Sequence, residues 1–290
     1  MDWCRGQGLN LRHTVVYSTE KEHLHHELEN FRLYAISKLN LTKVSVSQYI
    51  CKVRQFLELK STFTDEDVQQ YIQLKKETCT PDYVSNIISA FKAYFRNYKG
   101  YQFMNEYKHP PTPLRMKQEI EPLDVERFIL AIDNLTVRTT ALLLATSGLR
   151  KNEVLTLGVN DIDRNLGCII PNCHTGQTKH SAMSFYNFEA EQSLYEYEEK
   201  NKCQAKLFVI GHETFLKEWN NARAKTGLHL KPKDLRDFFS QEMGKALIPD
   251  RYIDIFQGRA PRSVLSKHYT PQGKKLLREI YDKAKLTIYH

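Results

Sequence analysis

Three things are scarce in this 290-residue chain, and each scarcity closes off a class of protein. Apolar runs are short. Hydrophobic residues make up 41% of the chain, yet no run approaches the ~18 residues that a membrane-spanning helix needs. The start, Met1-Asp2-Trp3-Cys4-Arg5, has no apolar stretch of the kind that directs secretion. A soluble, globular, cytoplasmic protein without a membrane partner is therefore expected. Cysteine is sparse as well. Cys4, Cys51, Cys79, Cys168, Cys173 and Cys203 are scattered without a C-x-x-C pair, as reduced thiols would be. Cys168, Cys173 and His174, with His180 nearby, come nearest to a metal cluster. They fall in what reads as a strand and hairpin loop, so structural thiols are the better reading, and neither metal nor cofactor is expected. Repeats and low-complexity tracts are missing too, which leaves out repeat architectures.

What is present is basic. Lys and Arg total 42 against 34 Asp and Glu, a net charge of +8 with a pI near 9.0. Such an excess favours a polyanionic partner, nucleic acid being the commonest. A chain of this length can hold one large domain or two modest ones, each with a real core.

The periodicity favours two domains. Residues 1–19 form an extension without clear pattern, and residues 20–105 read as a small helical domain. Its first helix, Glu20 to Lys38, carries Leu24, Leu28, Phe31, Ala35 and Ile36. A second is expected from Ser45 to Leu59. Thr64 can cap a third, because its hydroxyl can accept an orphan backbone N–H and Asp67 stands three residues on. Thr80-Pro81 starts a fourth, which buries Val84, Ile87, Ile88, Phe91, Tyr94 and Phe95. Residues 106–121 read as a linker, since Lys108-His109-Pro110-Pro111-Thr112-Pro113 cannot continue a helix. A second domain, residues 122–290, is expected to be mainly α with one small antiparallel sheet. Strands are read at Cys168–Ile170 and Ser184–Tyr186. Helices are read at 124–133, 137–147, 153–157, 189–201, 213–224, 233–243, 251–256 and 272–286.

The chemistry-bearing residues come in a telling order. Arg150 follows an apolar helix and a Ser147-Gly148 break that lets the chain turn sharply. Glu153, three residues on, is placed to brace it. Lys179 ends His174-Thr175-Gly176-Gln177-Thr178-Lys179, Lys233 and Arg236 lie three apart, and Arg259 and Tyr269 close the series. An arginine, two lysines, two more arginines and a tyrosine suit attack on a phosphodiester. The phenol would be the nucleophile, and the cations would hold the charge developing on phosphorus. Taken singly, each has a plainer role: a solvated arginine, one basic helix face, a half-buried packing tyrosine such as Tyr252, Tyr281 or Tyr289.

The run Thr146-Ser147-Gly148-Leu149-Arg150-Lys151-Asn152-Glu153, continued to Asp161-Ile162-Asp163, resembles the first catalytic box of the tyrosine recombinases, the phage-integrase family. The second box of that family is His-x-x-Arg, and here it reads Lys233-Asp234-Leu235-Arg236. The last is Gly-His or Gly-Trp with a tyrosine about ten residues later, and here it reads Gly258-Arg259 and Tyr269. Lysine and arginine in those two slots resemble the archaeal branch typified by fusellovirus integrases. The resemblance covers residues 122–287 for catalysis, with residues 20–100 similar to the helical core-binding (SAM-like) domain by pattern only. It implies that Tyr269 attacks a DNA phosphate, giving a 3′-phosphotyrosyl link and a free 5′-hydroxyl, and that Arg150, Arg236 and Arg259 bond the non-bridging oxygens. Lys179 would be the hairpin lysine that protonates the leaving oxygen, with His174 as the alternative, and Lys233 would bind phosphate.

The resemblance further implies a double-stranded DNA attachment site of a mobile element, held in a C-shaped clamp formed by the two domains, and a homo-oligomer with four protomers in the synapse. Lys52, Arg54, Lys92, Arg96 and Lys99 could follow phosphates or be ordinary solvated faces. The apolar stripe Leu276, Leu277, Ile280, Tyr281 and Ala284 either docks on a neighbouring protomer or folds back on its own domain, so cleavage in cis or in trans stays open. Residues 1–13 could be the translated end of an attachment site or a basic tail. Two rival activities remain: relaxation of supercoils in the manner of a type IB topoisomerase, and DNA binding by an inactive accessory protein.

Overall fold

A computed structural model describes residues 22–60, 63–111, 116, 118–171, 183–201, 205–259 and 273–290. Its contacts divide the chain into two units, Met1–Met116 and Lys117–His290. Residues 1–13, Lys179, His174 and Tyr269 lie outside the described residues.

The first unit is built on threonine caps. Helix α1 spans 22–37, α2 Lys43–Leu57, α3 Asp65–Thr78 and α4 Pro81–Phe91. The Thr42 hydroxyl accepts the Ser45 N–H and starts α2 two residues earlier than its apolar spacing suggests. At α3 the expected box is complete: Asp67 N–H donates to the Thr64 hydroxyl, and the Asp67 carboxylate accepts the Thr64 N–H at 2.8 Å. Thr80 caps α4, with Pro81 in its first turn. Beyond Phe91 the chain widens into a π-helical stretch, Lys92–Tyr98, which keeps Tyr94 and Phe95 buried as expected. Rings hold the core together. Phe56 meets Tyr71 edge-on at 5.2 Å and lies 5.3 Å from Phe91, pairings that add to the burial of the rings. The segment after Tyr101 is better ordered than its composition suggests, because a 3-10 turn at Gln102–Asn105 sinks Met104 into this core.

The second unit comprises α5 (Pro122–Leu130), α6 (Leu135–Ser147), α7 (Lys151–Leu155), β1 (Ile162–Asp163), β2 (Cys168–Ile169), β3 (Ser184–Phe185), α8 (Phe188–Lys200), α9 (His212–Thr226), α10 (Pro232–Lys245), α11 (Asp250–Phe256) and α12 (Lys274–Asp282). The strands form an antiparallel sheet in sequence order, with Ile162 opposite Ile169 and Cys168 opposite Phe185. Strand β1 was not anticipated, since two residues carry no alternation to read. Asn134 and Asn187 cap α6 and α8. Helix α6 is the centre of the unit: from Thr139 to Ser147 every residue is buried. Such a helix must be covered on every side, and the hydroxyls of Thr140, Thr146 and Ser147 are satisfied by carbonyls one turn back.

The tail resolves one alternative left by the sequence. Leu277, Ile280 and Tyr281 of α12 lie in the core of their own unit, so the apolar stripe folds back rather than standing free for a neighbour. Burying Leu277 and Ile280 stabilises by about 1.5–3 kcal/mol each. The Tyr281 hydroxyl donates to the Thr146 carbonyl at 2.8 Å. Arg278 donates to the carbonyls of Leu166 and Tyr186, both at 3.1 Å, which ties α12 to the sheet. The helix stops at Asp282 rather than continuing to Leu286, and Lys285 turns the chain with a φ of 46°. Among the described residues no helix is long and apolar enough to cross a membrane.

Candidate active site

Helix α6 ends where the polar chemistry begins. Its last turn is buried, so a side chain that must reach a ligand has to follow it. Gly148 makes the break, at a φ of 65°, a left-handed conformation that glycine adopts without steric cost. A Cβ at this position would lie 2.8 Å from Cε1 of Phe239, and closer still to Cδ1. The turn is therefore packed directly against the Phe239 ring of α10.

Arg150 comes two residues later and caps α7. Its N–H donates to Glu153 Oε2 at 2.7 Å, and its Nη1 donates to Glu153 Oε1 at 2.8 Å. The buried carboxylate thus braces both the main chain and the guanidinium, as the spacing predicts. Nη2 of the same side chain reaches the Gly258 carbonyl at 3.1 Å.

Arg236 projects from α10 and is 9% exposed. Its Nη1 donates to the Gly148 carbonyl at 2.7 Å, and its Nη2 donates to the Gln257 carbonyl. One guanidinium thereby joins the break after α6 to the turn after α11. That second turn has Gly258 at a φ of 56°. It is closed by the Arg259 N–H donating to the Asp254 carbonyl at 2.9 Å. The Arg259 side chain is 43% exposed and stands 3.7 Å from the Asp254 carboxylate.

Bonds to one turn, residues 257–259, bring these three arginines together. Burial pushes the Arg236 guanidinium down to about 10 from the usual 12.5, and the charge of Arg150 pushes further. Glu153 pulls the other way, and Arg259 lowers it again. At neutral pH the Arg236 guanidinium remains cationic. Like charges gathered at a partly buried site are relieved by an anion, and planar guanidiniums match the oxygens of a phosphate.

The structure brings together Arg150, Arg236 and Arg259. Lys233 stands exposed one turn before Arg236 on α10. Lys179 and Tyr269 fall outside the described residues, as does the alternative His174. Of the basic residues in the first unit, Lys52 lies over the Tyr83 ring at 5.3 Å. Arg54 is exposed and Lys92 half-buried, and Arg96 donates to the Asn97 side chain at 2.8 Å. Lys99 pairs with Glu27 at 2.5 Å and lies over the Tyr94 and Tyr98 rings, a packing role within its own unit. No group of three or more His, Cys, Asp and Glu among the described residues could hold a metal ion. Cys168 is buried, and burial pushes its thiol up to about 11. Two contributors were missed by sequence reasoning, Asp254 and Gln257. Neither sits in a periodic pattern, and a glutamine just after a short helix ordinarily faces water.

Comparison with known proteins follows the same line. The model of the phage integrase family matches residues 118–275, more than half of the chain. The chain is 25% identical over 272 residues to tyrosine recombinase XerA of Pyrococcus horikoshii, covering 89% of this chain and 93% of the relative. XerA of Pyrococcus furiosus is 24% identical, with 89% and 94% covered. Among solved structures, a lambda integrase dimer bound to a COC′ core site superposes with a TM-score of 0.64 at 13% identity, covering 86% of this chain and 97% of that one. XerH, a site-specific recombinase bound to its difH substrate, gives 0.55 at 19% identity, covering 87% and 82%. These two likenesses establish a shared fold.

Proposed function

The chain belongs to the phage integrase family, the tyrosine-type site-specific recombinases, and we propose that Tyr269 is the nucleophile with which it cuts and rejoins double-stranded DNA. The observation that carries this reading is the convergence of Arg150, Arg236 and Arg259 on the Gln257–Arg259 turn, ten residues before that tyrosine. The three guanidiniums bond the non-bridging oxygens of the scissile phosphate, and removing one such donor costs about 2.7–4 kcal/mol of transition-state stabilisation in comparable oxyanion sites. Tyrosine is a weak nucleophile near neutral pH, because its pKa is near 10, and neighbouring cations favour the phenolate. The phenolate oxygen bonds to phosphorus as the bond to the 5′ oxygen breaks. Lys179 protonates that leaving oxygen, giving a 3′-phosphotyrosyl link and a free 5′-hydroxyl. Lys233 binds phosphate. The covalent link keeps the phosphodiester energy, so rejoining needs no nucleotide.

The first unit takes the part of the core-binding domain, with Lys52, Arg54, Lys92 and Arg96 toward the DNA backbone. Lysine at 233 and arginine at 259 support a place in the archaeal, fusellovirus-like branch, acting in integration or excision of a mobile element. Related integrases include a lambda integrase tetramer bound to a Holliday junction, which supports exchange by four protomers here.

A pool of nicked duplexes with randomised sequence provides the test. Wild-type protein should recover a subset of sequences as covalent protein–DNA adducts that survive denaturant, and Tyr269→Phe should recover none. Failure of the wild type to form any adduct would overturn the reading, and equal trapping by Tyr269→Phe would remove Tyr269 from its role. Relaxation of plasmids lacking the recovered sequence, without strand exchange, would favour the topoisomerase-like activity instead.

A further inference from the structure

Gln257 is fully buried, yet every polar atom of it is engaged with one neighbourhood. Its side-chain Nε2 donates to the Arg236 carbonyl at 2.7 Å, and its Oε1 accepts from the Ser240 hydroxyl at 3.1 Å. Its N–H closes α11 on the Ile253 carbonyl at 2.9 Å, and its carbonyl accepts from Nη2 of Arg236. One residue thus bonds both the main chain and the guanidinium of Arg236. The next two residues carry the remaining arginine contacts: the Gly258 carbonyl accepts from Arg150, and Arg259 follows directly.

We propose that Gln257 is a positioning residue for phosphate activation. It locks α11 to α10 so that Arg150, Arg236 and Arg259 stay aimed at one phosphate. The inference rests on the recombinase reading of this site. Three like charges sharing a partly buried space push one another apart, and burial denies them the water that would screen the repulsion. The site therefore needs restraints that hold guanidiniums without neutralising them. The neutral side-chain amide of Gln257 fixes the main chain of Arg236 and the Ser240 hydroxyl, adding no charge to the site, while its main-chain carbonyl accepts from the Arg236 guanidinium. The amide's two bonds span one turn of α10, from residue 236 to residue 240, so the amide resists both sliding and rotation of α11 along that helix. If it were only core filling, an apolar side chain of the same length would serve as well.

That difference is the test. The probes are a duplex recovered as an adduct by the wild type from the randomised pool, and the same duplex carrying a neutral methylphosphonate at the scissile position. The methylphosphonate lacks the negative charge that the arginines answer, so a defect acting through them should shrink on it. Gln257→Met, nearly isosteric and unable to make either bond, should slow single-turnover adduct formation on the phosphate at least about tenfold, since a small misplacement of catalytic groups can cost up to about a hundredfold. Binding of the duplex should change less than about threefold, because most contacts to DNA lie along its backbone elsewhere. On the methylphosphonate the defect should fall to less than about threefold, as it should for Arg236→Ala. Ser240→Ala removes one of the two bonds and should show a smaller loss with the same relief, which keeps the test open if Gln257→Met does not fold.

Equal losses on both substrates would mean a general structural defect and would overturn the proposal. Wild-type rates in both variants would overturn it as well. If the wild type forms no adduct with any duplex, the recombinase reading itself falls, and this role falls with it.

Discussion

Replacing Gly148 by alanine tests the join between the core and the candidate site without any assumption about DNA. Two costs add. At a φ of 65° an alanine pays about 1–2 kcal/mol for the left-handed conformation. Its Cβ also lands on the Phe239 ring, and overpacking of this kind costs about 1–3 kcal/mol. The ring has little room to retreat, because Phe239 is fully buried with Phe256 and Tyr281 rings each 6.4 Å away. Gly148→Ala should therefore destabilise by about 2–5 kcal/mol in total. Urea titration followed by tryptophan fluorescence reads it, since Trp219 lies in this unit's core. A double-mutant cycle then separates the two costs. Phe239→Leu alone leaves a cavity and should cost about 1–2 kcal/mol. Combined with Gly148→Ala it removes part of the clash, so the pair should cost about 1–2 kcal/mol less than the sum. Strict additivity would refute the packing account, and a single-variant loss under about 1 kcal/mol would refute both terms.

Two further outcomes follow from other parts of the second unit. Stability should fall as the pH rises past about 10, because Tyr186 and Tyr281 are held above the ordinary phenol value, chiefly by burial. They keep their protons in the folded state while the unfolded chain loses them, so the slope of stability with pH is negative there. Cys168, raised to about 11, acts in the same direction from about pH 9. Arg236 opposes them over the same range, since its folded value near 10 lies below 12.5, but it is one group against three. Higher urea midpoints at pH 10.5 than at pH 9 would contradict this. Separately, the Glu189 carboxylate accepts the N–H groups of Ile288 and Tyr289, at 2.8 and 2.9 Å. Glu189→Ala should expose those two amides to hydrogen exchange while α6 stays protected, and unchanged exchange at the C-terminus would show that burial of Ile288 alone holds it.

How much of this was legible depends on the kind of signal each feature leaves. The third and fourth helices were readable because Thr64 with Asp67, and Thr80 with Pro81, announce themselves in local chemistry. Thr42 offered the same signal for the second helix, yet the apolar spacing from Val46 drew the start two residues late. The π-helical stretch after Phe91 left no such mark. Its pattern of buried Tyr94 and Phe95 fits an ordinary helix as well. For the tail, the stripe of Leu277, Ile280 and Tyr281 states that something covers it but not what. The deciding contacts are with Thr146 and the sheet, 92 to 135 residues earlier in the chain, and no local pattern carries that.

The candidate site divides along the same line, for a physical reason. Arg150 and Arg259 each follow a glycine that the chain needs in order to turn, so break and cation are neighbours in sequence as they are in space. Glu153 belongs to the same class, because a brace three residues along a helix is a local device. Gln257 does not. Its partners are twenty-one and seventeen residues away, on another helix, and alone it reads as an ordinary surface glutamine. Charge can be placed by local signals, because a cation needs only a break and an exit from the core. Aim cannot, because holding several cations on one point requires bonds between elements that meet only in the fold. The arginines are therefore readable from sequence as a set, and the geometry that makes them a site is readable only from the contacts around residues 148 and 257.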